Sequence, residues 1–391
     1  MAGVIGTAKR GAMDPATTTL ITDGSAEIVR GALAAGVALY AGYPITPASR
    51  VYEGMVEAGV GMGCPDEITA FQTLIGASVA GKKVMTATSA PGFALMVESI
   101  GAAWAMEVPV TVVLVQRMGP SSGAATTTAQ GDVLAALCIS GGYRIPTLCP
   151  GRLEDCARLT ATAVNIAEQL RTPVILLSER EMVSALRSVE LNRENEALLE
   201  PPRPAARERY TGAPEAFKPY GNLNGRRVPL FLEAGNPTAQ TRFVASTHGA
   251  AGSILKATPE AVAHTARLQE KIDGNPNLFP PPRMDLQPGA ETLIVAYGCT
   301  DYAAREAVAG LRARGVKVSH VNLLTLFPVQ GEEIRRALAG VRKVVIPEEN
   351  HSGLYRQVLN GDRLFDGLQV VGVNQIGALI SPEQIVAEVM A

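Results

Sequence analysis

Short apolar segments alternate with helix-length segments along about the first 185 residues, and this alternation constrains the fold more than any other feature. The short segments are almost wholly apolar and are predicted to be buried strands: 38–43, 84–88, 110–115 and 173–177. The longer segments have helical spacing and are predicted to be helices: 24–35, 47–58, 67–80, 91–106 and 153–170. Strands of this kind that are each followed by a helix indicate a parallel sheet covered on both faces.

The pattern breaks between residues 187 and 288, where proline, glycine and charged residues are frequent. Two stretches show this composition most clearly, EPPRPAARERYTGAPEAFKPYGNLNGRR and NPNLFPPPRMDLQPG. Proline-rich segments cannot form the interior of a sheet. We therefore expect an extended excursion that passes over a neighbour and contains one helix, at residues 259–272.

The alternation returns at residue 291 and continues to the last residue of the sequence. The apolar segments TLIVAYG, VKVSHVNLL, KVVIPEE and LQVVGV are separated by stretches that include helical spacing. The predicted fold class is therefore α/β, with two doubly wound parallel-sheet domains joined by the proline-rich excursion. The predicted ranges are 20–187 and 289–391 for the domains and 188–288 for the excursion.

Composition and charge exclude several classes of function. The 35 Lys and Arg residues nearly balance the 37 Asp and Glu residues, so the chain offers no basic footprint for a nucleic acid. No apolar run reaches the roughly 18 residues that a membrane span needs. The first residues, MAGVIGTAKRGAMDPATTT, lack the apolar core of a secretory signal. We expect a frayed leader there and a cytoplasmic location.

Cysteine and histidine usage restricts the chemistry further. The five cysteines are scattered through apolar stretches without a CxxC pair, which argues against a disulfide framework, a zinc site or an iron–sulfur cluster in this chain. We expect them to be small buried apolar residues. The first histidine is His248, so chemistry in the preceding 247 residues must proceed without imidazole.

The segment GYPITP places a polar residue at the mouth of the predicted sheet. A strand ends in a turn restricted by Pro44 and Pro47, and the turn holds Thr46 where open α/β folds bind ligands. The alternative is a rigid turn in which Thr46 only caps the next helix.

Two acids, Asp66 and Glu67, begin the next predicted helix. Acids are common at helix N-termini because the helix dipole favours negative charge there. Glu67 is the stronger candidate for a functional role because it adjoins an apolar helix face, including Phe71 and Leu74, that must pack inward.

Arg117 follows the most apolar strand and precedes a loop rich in Gly, Ser and Thr. An arginine in this position suits a planar carboxylate or a phosphate. A surface arginine at the start of a loop is the alternative. Two further polar segments, 88–92 and 347–351, also lie at predicted strand ends.

Taken together, these segments resemble the α subunit of the 2-oxoacid:ferredoxin oxidoreductases, in particular enzymes of the 2-oxoglutarate:ferredoxin type. The resemblance extends from residue 24 to the C-terminus and is weakest in the proline-rich middle. The motifs that carry it are AGYPITPAS, DEITAFQTLIGASVAGKKVMTATSAPGFALMVESIGAA, VQRMGPSSG, AQGDV, YGCTDYAAREAV, NLLTLFPV and IPEENHSG. The resemblance implies a thiamine-diphosphate pyrimidine-binding domain and a smaller domain like the C-terminal domain of transketolase.

The same resemblance implies an activity and assigns roles to individual residues. Such enzymes use thiamine diphosphate to decarboxylate a 2-oxoacid oxidatively to its acyl-CoA, and pass the electrons to iron–sulfur clusters. Glu67 is then the carboxylate that bonds the aminopyrimidine ring and promotes its imino tautomer, so that the cofactor carries its own base. Arg117 pairs with the substrate carboxylate, Thr46 hydrogen-bonds the substrate and Ser122 assists. The implied cofactor-binding residues are Tyr43, Pro44, Ile45, Glu67, Thr88 and Ser89.

The resemblance also implies partner subunits, since the chain lacks the ligands for the family's clusters. A β subunit is expected to bind the diphosphate and Mg²⁺, and [4Fe–4S] clusters are expected in partner subunits, with no metal in this chain. The resemblance implies other partners as well: further iron–sulfur or flavin subunits, and ferredoxin or another electron acceptor. The implied substrates are the 2-oxoacid and coenzyme A. The isolated chain is expected to be inactive.

Several positions depart from the 2-oxoglutarate pattern of the family. A lysine of the substrate loop is replaced by Thr127 or Thr128, and a histidine expected downstream is absent from ISGGYR. An uncharged or aromatic 2-oxoacid is therefore an alternative substrate. Two functions of a different class stay open beside the enzyme: a non-catalytic α/β scaffold, suggested by Ser122 and ISGGYR, and a transketolase-like transferase.

Overall fold

The computed structural model describes residues 18–191 and 200–391. Most of the predicted leader, residues 1–17, lies outside the described residues. Within the described ranges, no helix combines the length and apolar character needed to cross a bilayer.

The described elements alternate along the chain as the apolar pattern predicts. The strands are β1 (Thr18–Thr22), β2 (Leu39–Gly42), β3 (Gly61–Gly63), β4 (Val84–Thr88), β5 (Thr111–Gln116), β6 (Thr147–Leu148), β7 (Val174–Glu179), β8 (Arg187–Leu191), β9 (Arg283–Asp285), β10 (Thr292–Tyr297), β11 (Val318–Leu323), β12 (Thr325–Phe327), β13 (Lys343–Glu348) and β14 (Gln369–Asn374). The α-helices are α1 (Gly24–Ala34), α2 (Ser49–Glu57), α3 (Glu67–Val79), α4 (Ala90–Ala105), α5 (Val133–Leu137), α6 (Leu153–Leu170), α7 (Arg180–Ser184), α8 (Pro259–Asp273), α9 (Thr300–Ala313), α10 (Gly331–Ala337), α11 (Leu354–Gly361) and α12 (Pro382–Met390).

The larger sheet has seven strands in the order β12-β6-β7-β5-β4-β2-β3. All of its neighbouring pairs are parallel except β12 with β6. Strand β5 is buried along its whole length, as expected for a strand covered by helices on both faces. Helices α1 and α6 pack so closely that a Cβ at Gly31 would lie 2.1 Å from the Ala157 carbonyl oxygen. The predicted α/β class is confirmed.

The smaller sheet has five strands in the order β14-β13-β10-β11-β9. Its central pairs are parallel, and β9 is an antiparallel edge strand from the end of the excursion. Helices α9 and α12 cover one face, where Leu311 and Ile385 are fully buried. The predicted domain ranges stay a prediction, and strand β12 from the second range belongs to the larger sheet.

The excursion passes over α6 and is fixed there by buried polar contacts. Asn165 donates to the Arg203 carbonyl at 2.9 Å and accepts from the Ala205 N–H at 2.7 Å. The Arg207 guanidinium, 6% exposed, pairs with Glu168 at 2.8 Å. The helix predicted at 259–272 is present as α8 (Pro259–Asp273).

A buried ion cluster attaches α8 to the end of α4. Glu107 follows α4 and is fully buried. Its carboxylate accepts hydrogen bonds from Arg267 at 3.0 Å and from Lys271 at 2.8 Å. Burial alone raises the pKa of Glu107, but the neighbouring Lys271 and Arg267 cations outweigh it and bring the value to about 2. Lys271 also donates to the Arg171 carbonyl at 2.8 Å, which ties the cluster to the turn after α6.

We expect Glu107→Ala to destabilise the chain by about 3–5 kcal/mol, because it leaves two buried cations without a counter-charge. The measurement is the midpoint of urea unfolding. Glu270→Ala is the matched control. Glu270 lies on α8, the helix that carries the two buried cations, and forms an exposed ion pair with Arg227 at 2.7 Å. The control should change stability by less than about 1 kcal/mol. Equal effects of the two substitutions would contradict the assigned role.

Candidate functional site

Several predicted site residues follow the carboxyl ends of the parallel strands. Strands β2, β4 and β5 end at Gly42, Thr88 and Gln116, and their parallel pairing brings these ends to one edge of the sheet. Tyr43, Ser89 and Arg117 are the next residues along the chain. Ligands of open α/β sheets bind at such an edge.

Glu67 is the first residue of α3 and is only 6% exposed. Asp66 caps the helix by accepting the Thr69 N–H at 2.6 Å, and this bond lowers the pKa of Asp66. Among the described residues, the Glu67 carboxylate has no hydrogen-bond or ion-pair partner. A buried carboxylate with free acceptor positions is costly unless a donor reaches it.

Gly92, in the first turn of α4, leaves the space that the Glu67 side chain occupies. A Cβ at Gly92 would lie 2.4 Å from Glu67 Oε1 and 2.3 Å from Thr88 Oγ1. Thr88 and Ser89 are both fully buried, and Ser89 Oγ has no partner in the structure as described. The structure therefore brings Glu67 and Thr88 together beside a second buried polar group without a partner.

Arg117 and Thr46 meet at the same sheet edge. Arg117 Nη1 donates to the Thr46 carbonyl at 2.5 Å, and the Arg117 side chain is buried while its Nε has no partner among the described atoms. The Thr46 side chain is exposed on the turn after β2, and the Thr46–Pro47 peptide bond is cis. The Thr46 carbonyl thus holds the Arg117 guanidinium from one side, and the Arg117 Nε–H has no acceptor among the described atoms.

Asp132 is a neighbour of Arg117 that sequence reasoning did not assign. Burial raises the pKa of Asp132 to about 6, against the opposing effect of the Arg117 charge. The Asp132 N–H donates to Gln116 Oε1 at 3.0 Å, and Asp132 Oδ2 has no partner within the described ranges. The motif AQGDV contained this residue, but nothing in its spacing showed that the loop folds back onto Arg117.

The remaining predicted residues are more open. Ser122, Tyr43 and Pro44 are exposed, with Tyr43 at 43%, and Ile45 is half-buried. In the described part of the chain, Ser122 and Tyr43 make no hydrogen bond to Glu67, Thr46 or Arg117. Their assignment to the site stays a prediction.

A second group of buried polar residues lies where the two sheets meet, and sequence reasoning missed it. Glu179, the last residue of β7, is fully buried and accepts from Gln130 Nε2 at 2.9 Å. Burial raises the pKa of Glu179 to about 8. Glu349 lies nearby, and burial raises its pKa as well. The segment PEENHSG was noted at a strand end, but the strand order that brings it to Glu179 could not be derived.

No group of three or more His, Cys, Asp or Glu side chains suited to a metal occurs within residues 18–191 and 200–391. Cys149, Cys156 and Cys299 are buried, as expected, and burial raises the pKa of each thiol. The expectation was wrong for Cys138, which is exposed, and for the half-buried Cys64. Cys64 nevertheless packs against the main core.

Two models of known protein families match parts of the chain. Residues 30–242 match the thiamine-diphosphate-binding model of the pyruvate flavodoxin/ferredoxin oxidoreductases. Residues 290–364 match core domain II of pyruvate:ferredoxin oxidoreductase.

Individual relatives agree with the family models. The chain is 32% identical to the 2-oxoglutarate synthase subunit KorA of Methanothermobacter marburgensis, over 96% of this chain and 99% of that protein. The solved 2-oxoglutarate:ferredoxin oxidoreductase of Magnetococcus marinus, with 2-oxoglutarate, coenzyme A and succinyl-CoA bound, superposes with a TM-score of 0.86 at 27% identity. The match covers 95% of this chain but only 65% of that one. A split-gene transketolase, an inactive β4 tetramer, shares the fold at a TM-score of 0.53 and 14% identity, with 94% and 95% of the two chains covered.

We expect Glu179→Gln to raise the unfolding temperature at pH 8 by about 3 °C or more and to change it little at pH 5. The pKa of the folded carboxyl, about 8, exceeds its ordinary value of 4.5, so the unfolded chain releases this proton first as the pH rises. Stability is therefore lost between these two pH values, and glutamine removes that loss. Thermal unfolding at four pH values between 5 and 8 tests this, with the exposed Glu306→Gln as control. A pH-independent difference would contradict the assignment.

Proposed function

Because the chain belongs to the thiamine-diphosphate-binding pyruvate flavodoxin/ferredoxin oxidoreductase family, we propose that it is the α subunit of a CoA-acylating 2-oxoacid oxidoreductase. Such an enzyme decarboxylates a 2-oxoacid oxidatively to its acyl-CoA and passes the electrons to iron–sulfur clusters in partner subunits. The observation that carries the proposal is the buried Glu67 carboxylate, which has no partner among the described residues and lies at the ligand-binding edge of the sheet.

The residues around Glu67 suit the pyrimidine half of thiamine diphosphate. Thr88 and Ser89 present buried hydroxyl groups, and the turn of Tyr43, Pro44 and Ile45 lies at the same edge. When bound, the cofactor supplies an electron sink for decarboxylation. Glu67 would hold a proton shared with a ring nitrogen of the pyrimidine. Its burial strengthens that hydrogen bond, because the local dielectric is low.

Arg117 is proposed to bind the carboxylate of the 2-oxoacid. Its Nε is buried without a partner in the described chain, and a charge-assisted hydrogen bond from a guanidinium is strong and directional. Thr46, already joined to Arg117 through its carbonyl, would present its exposed hydroxyl to the substrate, with Ser122 assisting from the loop.

The exposed faces of α3 and α4 fit a partner subunit. Ile68 on α3 is 47% exposed and Leu95 on α4 is 52% exposed, and Ala94 on α4 is exposed beside Leu95. Gln72 of α3 donates to Ser99 of α4 at 2.9 Å, so the two helices present one continuous surface. Apolar surface of this kind marks a protein interface. We propose that a β subunit packs here, next to Glu67, and supplies the sites for the diphosphate and Mg²⁺, while [4Fe–4S] clusters lie in partner subunits.

The substrate is proposed to be 2-oxoglutarate, as the name of the M. marburgensis relative suggests. One observation favours an uncharged 2-oxoacid as a second candidate: residues 118–132 contain no Lys, Arg or His to meet a distal carboxylate. A cytoplasmic location remains a prediction from the sequence.

We expect Glu67→Gln to reduce thiamine-diphosphate-dependent turnover by about 100-fold or more in the complex reconstituted with its β subunit, because an amide cannot exchange a proton with the pyrimidine ring nitrogen. The measurement is 2-oxoacid- and CoA-dependent reduction of a viologen dye. Glu57→Gln, at the exposed end of α2, is the control and should retain full turnover. Turnover of Glu67→Gln within tenfold of the wild type, with folding intact, would remove Glu67 from this role.

We expect Leu95→Asp to separate the chain from its β subunit, because it places a charge on an exposed apolar residue of the proposed interface. Size-exclusion chromatography of the co-purified proteins is the measurement. The control is Ile254→Asp, which changes an apolar residue of the excursion that is 69% exposed. Co-elution of the Leu95→Asp chain with the β subunit would place the interface elsewhere.

A further inference from the structure

Gln130 is fully buried at the junction of the two sheets, and its side chain makes three hydrogen bonds. Its Nε2 donates to Glu179 Oε1 at 2.9 Å and to the Tyr297 carbonyl at 3.1 Å. Its Oε1 accepts the Glu349 N–H at 3.0 Å. Its backbone N–H donates to the Glu349 carbonyl at 2.8 Å, and its carbonyl accepts from Asn350 Nδ2 at 3.1 Å. Gln130 thus joins the larger sheet to two strand ends of the smaller one.

The same residue lies in the loop that carries the substrate-binding candidates. The loop begins at Arg117, which is bonded to the Thr46 carbonyl, and ends at Asp132, which is bonded to Gln116. Within this loop, Thr128 Oγ1 donates to Glu349 Oε2 at 3.4 Å. The second half of the loop is therefore held by residues of the smaller sheet and not by its own domain alone.

Glutamine matches the groups that face it at position 130. Glu179 Oε1 and the Tyr297 carbonyl accept from the Gln130 amide, and the Glu349 N–H donates to Gln130 Oε1. The Tyr297 carbonyl also accepts from Thr300 Oγ1 at 2.7 Å. Glutamate would lose both donations, and methionine would lose all three side-chain bonds. Space at the junction is restricted, because a Cβ at Gly298 would lie 1.8 Å from Glu179 Oε1 and 2.8 Å from Gln130 Nε2.

We propose that Gln130 is a positioning residue for the reaction: it fixes the loop 117–132 against the smaller sheet and so holds Arg117 and Asp132 in place for the 2-oxoacid. The inference rests on the proposed function, since it assumes that Arg117 binds the substrate carboxylate. The C-terminal part of the chain then contributes to substrate binding indirectly, by holding the loop, and none of the C-terminal residues needs to contact the substrate.

The experiment compares Gln130→Met with Tyr302→Phe in the complex with the β subunit. Tyr302 Oη accepts the Leu153 N–H at 2.9 Å, so Tyr302→Phe also removes a hydrogen bond between the two halves of the chain but leaves the loop untouched. Two readouts are taken. The first is steady-state kinetics, which gives kcat and the KM values for the 2-oxoacid and for coenzyme A. The second is hydrogen–deuterium exchange of the peptide spanning 118–132.

We expect Gln130→Met to raise KM for the 2-oxoacid at least tenfold and to leave KM for coenzyme A within twofold. Exchange of the loop peptide should accelerate at least tenfold. Tyr302→Phe should leave both KM values and the loop exchange within twofold. If Gln130→Met does not fold, Gln130→Asn takes its place with the same expectations, because the shorter amide remains polar but cannot span the same partners.

Two results would overturn the positioning role. One is loop exchange that Gln130→Met leaves unchanged, whatever the turnover. The other is an unchanged KM for the 2-oxoacid, or an equal rise in KM for coenzyme A, since either marks Gln130 as a general structural contact. Absence of turnover in the wild-type complex with every 2-oxoacid tested would instead refute the proposed function, and the exchange result would still decide whether Gln130 fixes the loop.

Discussion

A largely buried carboxylate without a hydrogen-bond partner among the described residues is the constraint on which the candidate site depends. Glu67 occupies that position because α3 begins at the sheet edge and because Gly92 gives up its side chain to make room. An acid held at a largely buried position without a donor is available to a ligand that brings one. A molecule that brings a donor would complete the site, and the proposed β subunit would lie beside it.

The two sheets cooperate more closely than a simple pair of domains would. The substrate-binding candidates Arg117 and Thr46 belong to the larger sheet, yet the loop after Arg117 is secured by Glu349 and Asn350 of the smaller one. Glu179 lies at the centre of this junction, with a raised pKa because it is buried. The geometry of the site therefore depends on the packing between the sheets as much as on either sheet by itself.

Much of the fold could be predicted from the sequence, because long apolar strands such as β5 and helices such as α6 carry their own periodicity. The three-residue β3 and the two-residue β6 could not be, since only pairing with neighbours defines strands so short. The candidate residues that follow long strands were found in the same way. Asp132 and Glu179 were not, because their proximity to Arg117 and Gln130 arises from loop closure and strand order, which no local pattern encodes.

Strand β12 has a consequence for how this polypeptide can be divided. It comes from the C-terminal part of the chain, but it pairs with β6 and forms the outer strand of the N-terminal sheet. A protein cut at residue 288 would leave β6 without that neighbour, and exposed strand edges recruit other chains. If the gene were split at this point, the two polypeptides would therefore have to associate as soon as they are made, or another segment would have to pair with β6.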